Sequence, residues 1–363
     1  MHPASVVDLF CGIGGLTHGF VKEGFNVVAG IDDDETCRYA YEENNGAKFI
    51  KKDIEFEVTA DEIVKLYPEG HTKILVGCAP CQPFSRYTIR EGEDEKWKLL
   101  QSFAELIKGT QTEIVSMENV PELKRHHVYD EFVEVLEGED YYVTAYNVYC
   151  PDYGIPQTRE RLVLFGSKYA KIEIVKPTHT PERYKTVGDV IGHLEPIEAG
   201  QTSARDPLHT ARGLSELNLR RIRSTPPGGG WRDWDEELRL DCHKAETGKT
   251  YPSVYGRMSW DEPAPTMTTH CGGLGNGRFG HPDQDRAISM REAALFQTFP
   301  KKYRLIEPGV KVANKILSRH IGNAVPVRLG VIIARSIKRH LEEYCEASQS
   351  SSARPSKRKP SRQ

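Results

Sequence analysis

The segment GCAPCQPFS, residues 77–85, puts Cys78 and Cys81 in a Cys-x-x-Cys spacing directly after the apolar run KILV. Two thiols so placed suit a redox couple, a pair of metal ligands, or one nucleophile and one bystander. A redox pair usually opens a helix directly, whereas Gln82-Pro83 carries on a loop. Zinc would need a second pair of ligands, and Cys150, Cys242, Cys271 and Cys345 lie singly. A thiol of ordinary pKa about 8.5 becomes a useful nucleophile once its thiolate is stabilised. One strand further on, EIVSM leads into Glu118-Asn119-Val120-Pro121. A carboxylate and a thiol on neighbouring strand ends can face one pocket. The segment QTRER adds Arg159 and Arg161, whose alternation on a strand points both to one face. There they bind an anionic or carbonyl group, or stand as ordinary surface charges.

Such groups need a frame, and the first half of the chain supplies an alternating one. SVVDLF, NVVAGI, KFI, KILVG, EIVSM, YYVTAYNVY and RLVLFG read as strands. LTHGFVKEG, ETCRYAYEEN, TADEIVKLY, KWKLLQSFAELI and VYDEFVEVL read as helices between them. The expected class is α/β, a largely parallel Rossmann-like sheet with helices on both faces. Ligands gather at the carboxyl ends of such strands. DLFCGIGGL falls where the first strand turns into the first helix, and its glycines admit a ligand close to the backbone. The third glycine of a dinucleotide fingerprint is replaced by Thr17, which favours a cofactor without a pyrophosphate. Asp32, at the end of strand two, suits ribose hydroxyls, and Asp53, after strand three, suits an adenine amino group.

The bulk numbers set limits. Hydrophobic residues at 38% and charged residues at 28% fit a globular protein with a real core. A net charge of -3 excludes a uniformly basic protein, but a nucleic-acid enzyme needs only a basic cleft. No apolar run approaches the length of a membrane span, no signal peptide is visible, and the eight scattered cysteines suit a reduced cytoplasmic protein. From about residue 168 the texture becomes rich in Pro, Gly, Arg, His and Trp. The chain returns to its first style at REAALFQTF and in a last helix, VRLGVIIARSIKRHLEEY.

In order, DLFCGIGG, PCQPFS, ENV, QTRER, REAALFQTFP and HIGNAVP resemble the motif series of DNA (cytosine-5)-methyltransferases of the bacterial restriction-modification type. The resemblance implies a division into residues 1–170 and 283–345 as an S-adenosylmethionine-binding catalytic domain. Residues 171–282 would be a smaller loop-rich target-recognition domain, and 346–363 a disordered basic tail. It implies Cys81 as the nucleophile that adds to C6 of a flipped cytosine, with Glu118, expected to be desolvated, meeting N3. Arg161 would hold the O2 carbonyl, supported by Arg159. Phe10, Gly12, Ile13, Gly14, Asp32, Asp33, Asp53, Pro80, Asn323 and Ala324 are the implied S-adenosylmethionine positions. Asp33 stands where the family often has a bulky apolar residue. Cys78 becomes a packing thiol, and Trp97 packs the start of its helix.

DNA contacts are expected from Gln82 and Ser85 beside the nucleophile and from Arg221, Arg223, Arg232 and Arg257 in the middle region. Thr266 and Thr268, in PAPTMTT, match a Thr-rich segment of the family. The expected partners are double-stranded DNA and a cognate restriction endonuclease, with a monomeric chain, no membrane and no metal. An RNA substrate and a catalytically silent DNA-binding module are the alternatives.

Overall fold

The computed structural model describes residues 3–80, 93–245 and 250–352. The expected alternation is present as β1 (Ala4–Leu9), α1 (Gly15–Lys22), β2 (Asn26–Asp32), α2 (Arg38–Asn45) and β3 (Lys48–Lys51). It continues as α3 (Ala60–Val64), β4 (Thr72–Gly77), α4 (Glu93–Thr110), β5 (Ile114–Asn119), α5 (His127–Gly138) and β6 (Tyr142–Tyr149). Then come β7 (Gln157–Thr158) and β8 (Glu160–Ser167). Seven strands form one sheet in the order β3-β2-β1-β4-β5-β8-β6. Strands β1 to β5 pair in parallel, and β8 runs antiparallel to both β5 and β6. The order reverses between β1 and β4, which makes their carboxyl ends the natural ligand crevice.

Both faces of this sheet are covered, which is why its strands are continuous apolar runs rather than alternating ones. Val6, Ile74, Val76, Ile114, Val163 and Phe165 share one core with Phe20, Tyr41, Ile333 and Ile337. Their neighbours Val7, Leu75, Val115, Leu162 and Leu164 share the other with Phe103, Ile107, Phe132 and Leu136. Trp97 is buried near the start of α4, its ring centroid 5.0 Å from that of His126, and so packs as expected.

Between residues 171 and 282 regular structure is sparse: α6 (Val187–Ile191), α7 (Glu216–Arg223), α8 (Asp241–Lys244) and β9 (Ala264–Pro265). Strand β9 pairs in parallel with β7, tying the Thr-rich segment to QTRER. This region does not stand wholly apart, because Val187, Leu208, Met267 and Cys271 belong to the core on one sheet face. Trp231, Trp234 and Leu238 form a small separate core, as do Ile222 and Leu274 with Ala287 of the return segment.

The chain then returns through α9 (Met290–Phe296), α10 (Asn314–Asn323) and α11 (Val327–Ser352). Helix α11 runs to Ser352, past residue 346, where the tail is expected to begin. It lies against α1 through small residues: a β-carbon on Gly19 would sit 2.3 Å from the Gly330 carbonyl carbon. Among the described residues no helix is long and apolar enough to cross a membrane.

A buried glutamine pair joins the separate motifs. Gln157 Nε2 donates to Gln297 Oε1 at 2.7 Å and to the Phe296 carbonyl at 2.9 Å, and its own Oε1 accepts from the Met267 amide at 3.1 Å. Gln297 Nε2 in turn donates to the carbonyls of Ile321 and Ala324 at 2.6 and 2.8 Å. The pair therefore holds QTRER, the Thr-rich segment, α9 and the end of α10 together. Gln297→Leu would strand three of these partners in the interior. It is expected to cost about 3 kcal/mol or more, at roughly 1–3 kcal/mol for each unsatisfied buried group. A urea midpoint that falls with an unchanged slope checks this; an unaltered midpoint refutes it.

Candidate active site

At the carboxyl end of β1 the chain turns through three left-handed residues, Phe10 (φ 57°), Gly12 (φ 49°) and Gly14 (φ 81°). Gly14 is the residue before α1, so the turn delivers backbone amides to a helix N-terminus. A β-carbon on Gly12 would meet nothing within 4 Å, so open space lies over the turn. Asp32, at the end of β2, accepts from the Gly12 amide at 2.8 Å and from the Asp34 amide at 2.9 Å. Burial pushes its carboxyl above the ordinary range. Phe10, Gly12, Ile13, Gly14 and Asp32 thus form one cradle, with the Ile13 carbonyl accepting from Tyr303 Oη at 2.5 Å. An open backbone turn beside an acid fits an adenosyl group with ribose hydroxyls. Asp53 spends one oxygen on the Glu55 amide at 2.9 Å; Asp33 and Pro80 are exposed.

Beneath this cradle lies a polar group that sequence reading did not single out. Asp8, 1% exposed, accepts from Thr17 Oγ1 at 2.6 Å, and Tyr41 Oη lies 3.1 Å from the same hydroxyl. Asp8 Oδ1 has no hydrogen-bond partner. Burial, with Asp32 close by, pushes the Asp8 carboxyl up from 3.8 to about 7. The folded protein therefore keeps this proton where the unfolded chain has released it. The cost of that mismatch rises by about 1.4 kcal/mol per pH unit as pH climbs across the window. Asp8→Asn is expected to flatten the fall in stability between about pH 4 and about pH 7. Urea midpoints at both ends of that range test it, and parallel losses in the two proteins would count against it.

The second half of the site lies at the ends of β4 and β5. Cys81, Gln82 and Ser85 fall outside the described residues, and the segment leading to them, Cys78-Ala79-Pro80, leaves β4 beside β5. Glu118 is 2% exposed. Its Oε1 lies 3.1 Å from Arg161 Nε, an ion pair without hydrogen-bond alignment. Its Oε2 accepts from Cys78 Sγ at 2.7 Å. The register explains the pairing: Glu118 stands opposite Val163, so Arg161, two residues earlier on β8, points to the same face.

Arg159, also buried, donates to the Met267 carbonyl at 3.1 Å, while its Nε has no hydrogen-bond partner. Burial and the adjacent Arg161 bring it down to about 10, which leaves it charged at neutral pH. The expected carboxylate and arginines are thus together. Cys78 corrects the reading as a packing thiol: it is half-buried and bonded to the carboxylate.

The return segment reaches the cradle from the other side. A β-carbon on Gly15 would meet the Val325 carbonyl at 2.2 Å, so the chain just after Asn323 and Ala324 presses on the start of α1. Asn323 is exposed at the last position of α10, and Ala324 follows it. Asp34, Cys37 and His320 gather within 4.8 Å of one another in ligand-like spacing. Arg319 occupies the Asp34 carboxylate at 2.6 Å and His320 lies on it at 3.2 Å, so the cluster works as a link between the β2 loop and α10.

The middle region departs most from expectation. Arg257, expected on DNA, is 4% exposed and donates to the carbonyls of Ile222, Thr225, His281 and Gln284, and to Asp285. Arg221 is also buried, bonded to the Leu238 carbonyl at 2.9 Å and lying over Trp234 and Tyr255. Arg278 likewise holds the carbonyls of Gly228, Gly229 and Arg257. These guanidinium groups replace the strand ladders that this region lacks. Arg221 and Arg257 are therefore internal staples and not available to a phosphate. Arg223 is more than half exposed and pairs with Asp285 at 3.2 Å; Arg232 is exposed and lies over Trp231. Thr266 donates to the Thr158 carbonyl at 2.9 Å, and Thr268 is exposed.

Solved structures with this fold include a prophage-encoded E. coli protein described as a DNA modification methyltransferase. It aligns over 93% of this chain and 99% of its own, with a TM-score of 0.71 and 22% identity. The Entamoeba histolytica methyltransferase EhMeth aligns over 94% and 99%, with a TM-score of 0.65 and 16% identity. The chain shares its fold with these solved structures. The family model for C-5 cytosine-specific DNA methylases matches residues 4–339, and the chain belongs to that family.

The Herpetosiphon aurantiacus "Type II methylase M.HgiDII" is 56% identical over 341 residues, 93% of this chain and 96% of that protein. The Psychrobacter "Type II methyltransferase M.PspPI" is 30% identical over 351 residues, 93% of this chain and 79% of that one. The protein is a DNA (cytosine-5-)-methyltransferase and takes its methyl group from S-adenosylmethionine.

Proposed function

We propose that this enzyme methylates one cytosine within a specific sequence of double-stranded DNA, flipped out of the helix, through a covalent bond between Cys81 and C6. The observation that carries the reading is Glu118, held in the interior between Arg161 and the strand end that leads to Cys81. Carbon 5 of cytosine is a poor nucleophile. Addition of the Cys81 thiolate at C6 sends electrons toward N3, where Glu118 delivers a proton, and the ring becomes an enamine nucleophilic at C5. S-adenosylmethionine, held by Phe10, Gly12, Ile13, Gly14, Asp32 and Asn323, supplies a methyl group on a sulfonium for that carbon. Loss of the C5 proton then expels Cys81, and N3 returns its proton to Glu118. Arg161 steadies the O2 carbonyl, and Arg159 supports it from behind. Both ring faces are covered in a stacked duplex, so the base must leave it.

Residues 171–282 serve as the target-recognition domain, with Arg223, Arg232 and Thr268 on its surface and Gln82 and Ser85 beside the nucleophile. The cellular role is modification in the cytoplasm, as a monomer, partnering a restriction endonuclease of the same specificity; the Type II names of the relatives support the modification role. Bisulfite sequencing of plasmid from cells expressing the chain tests the reading. One cytosine of one short motif should be protected. Unprotected DNA from cells holding folded protein, or protection without regard to sequence, overturns it.

A further inference from the structure

Beside Glu118 stands a thiol to which the reaction as described gives no task. Cys78 Sγ lies 2.7 Å from Glu118 Oε2, on the segment just after β4. The opposite oxygen, Oε1, faces Arg161 without an aligned hydrogen bond. Among the described residues, the other titratable and charged groups around this carboxylate are Arg159, just before β8, and the buried Cys150, just after β6. Resting on the mechanism proposed above, we propose that Cys78 is a positioning residue for methyl transfer: its thiol holds Glu118 through Oε2 and reserves Oε1 for the ring nitrogen of the target base.

The physical reason is the freedom of a carboxyl group. Without a fixed donor it rotates about Cγ–Cδ and carries its proton on either oxygen. A donor on Oε2 selects one rotamer and directs the transferable proton to Oε1. Small errors in the placement of a reacting group cost far more in rate than in binding.

Steady-state kinetics of Cys78→Ser, Cys78→Ala and Cys78→Val decide the matter, with S-adenosylmethionine binding and thermal midpoint as checks on folding. Serine keeps a donor, and valine keeps the bulk without one. The serine variant is expected within about threefold of the parent kcat. The alanine and valine variants should lose about tenfold or more in kcat, with KM for DNA and cofactor changed less than about twofold. Valine as active as serine, or serine as poor as alanine, would show a packing role and overturn the proposal. If alanine fails to fold, the serine–valine comparison still decides. A Glu118→Gln control with undiminished turnover would instead remove the mechanism beneath it, a result distinct from either.

Discussion

Glu118→Gln is expected to lower kcat by about 10² to 10⁴, the usual worth of a positioned acid or base, with little change in the affinity for S-adenosylmethionine. The substitution is nearly isosteric: the amide oxygen can still accept from Cys78, and the amide nitrogen then faces Arg161. What it loses is the proton that N3 must receive when the thiolate adds at C6. The loss therefore belongs in kcat and not in KM. The buried setting sharpens the test, because Glu118 is 2% exposed and sits at the end of β5, where the ladder to β8 fixes the backbone. Single-turnover assays with tritiated cofactor measure the step directly. Turnover within a few-fold of the parent would mean that another group protonates the ring.

Cys81→Ala is expected to abolish methyl transfer altogether, while S-adenosylmethionine and DNA still bind. No other route activates C5 without adding a nucleophile to the ring, so no residual chemistry should survive. DNA carrying 5-fluorocytosine gives the complementary result with the parent enzyme. The methylated adduct has no C5 proton to lose, so Cys81 cannot leave, and mass spectrometry should find enzyme, base and methyl group joined. Absence of the adduct with competent protein, or turnover by the alanine variant, would remove the covalent mechanism.

Much of the frame was legible because it depends on short-range signals. Apolar runs broken by Gly and Pro marked the strands, and strand ends placed Gly12, Asp32 and Glu118 at one edge. Cys78 was misread because its partner lies forty positions away, and no local pattern announces a contact across two strand ends. Asp8 was passed over because a single acid inside the apolar run SVVDLF gives no local sign of what surrounds it; in the fold it is enclosed under Tyr41 and Thr17. Helix α10 was not among the expected helices, because HIGNAVP was read as a motif and not as the end of an element. Arg221 and Arg257 were assigned to DNA because the types that bind phosphate are also the types that bind carbonyl oxygens, and only burial separates the two.

On the target-recognition role proposed for the middle region, its guanidinium staples have a consequence for how such a protein changes its target. Nearly every acceptor they use is a main-chain oxygen, present whatever side chain is attached. Substitutions at solvent-facing positions between the anchor points leave those acceptors in place. Selection can therefore rewrite what the surface reads without dismantling the scaffold that presents it, and new specificities lie a few exchanges away and not a new fold.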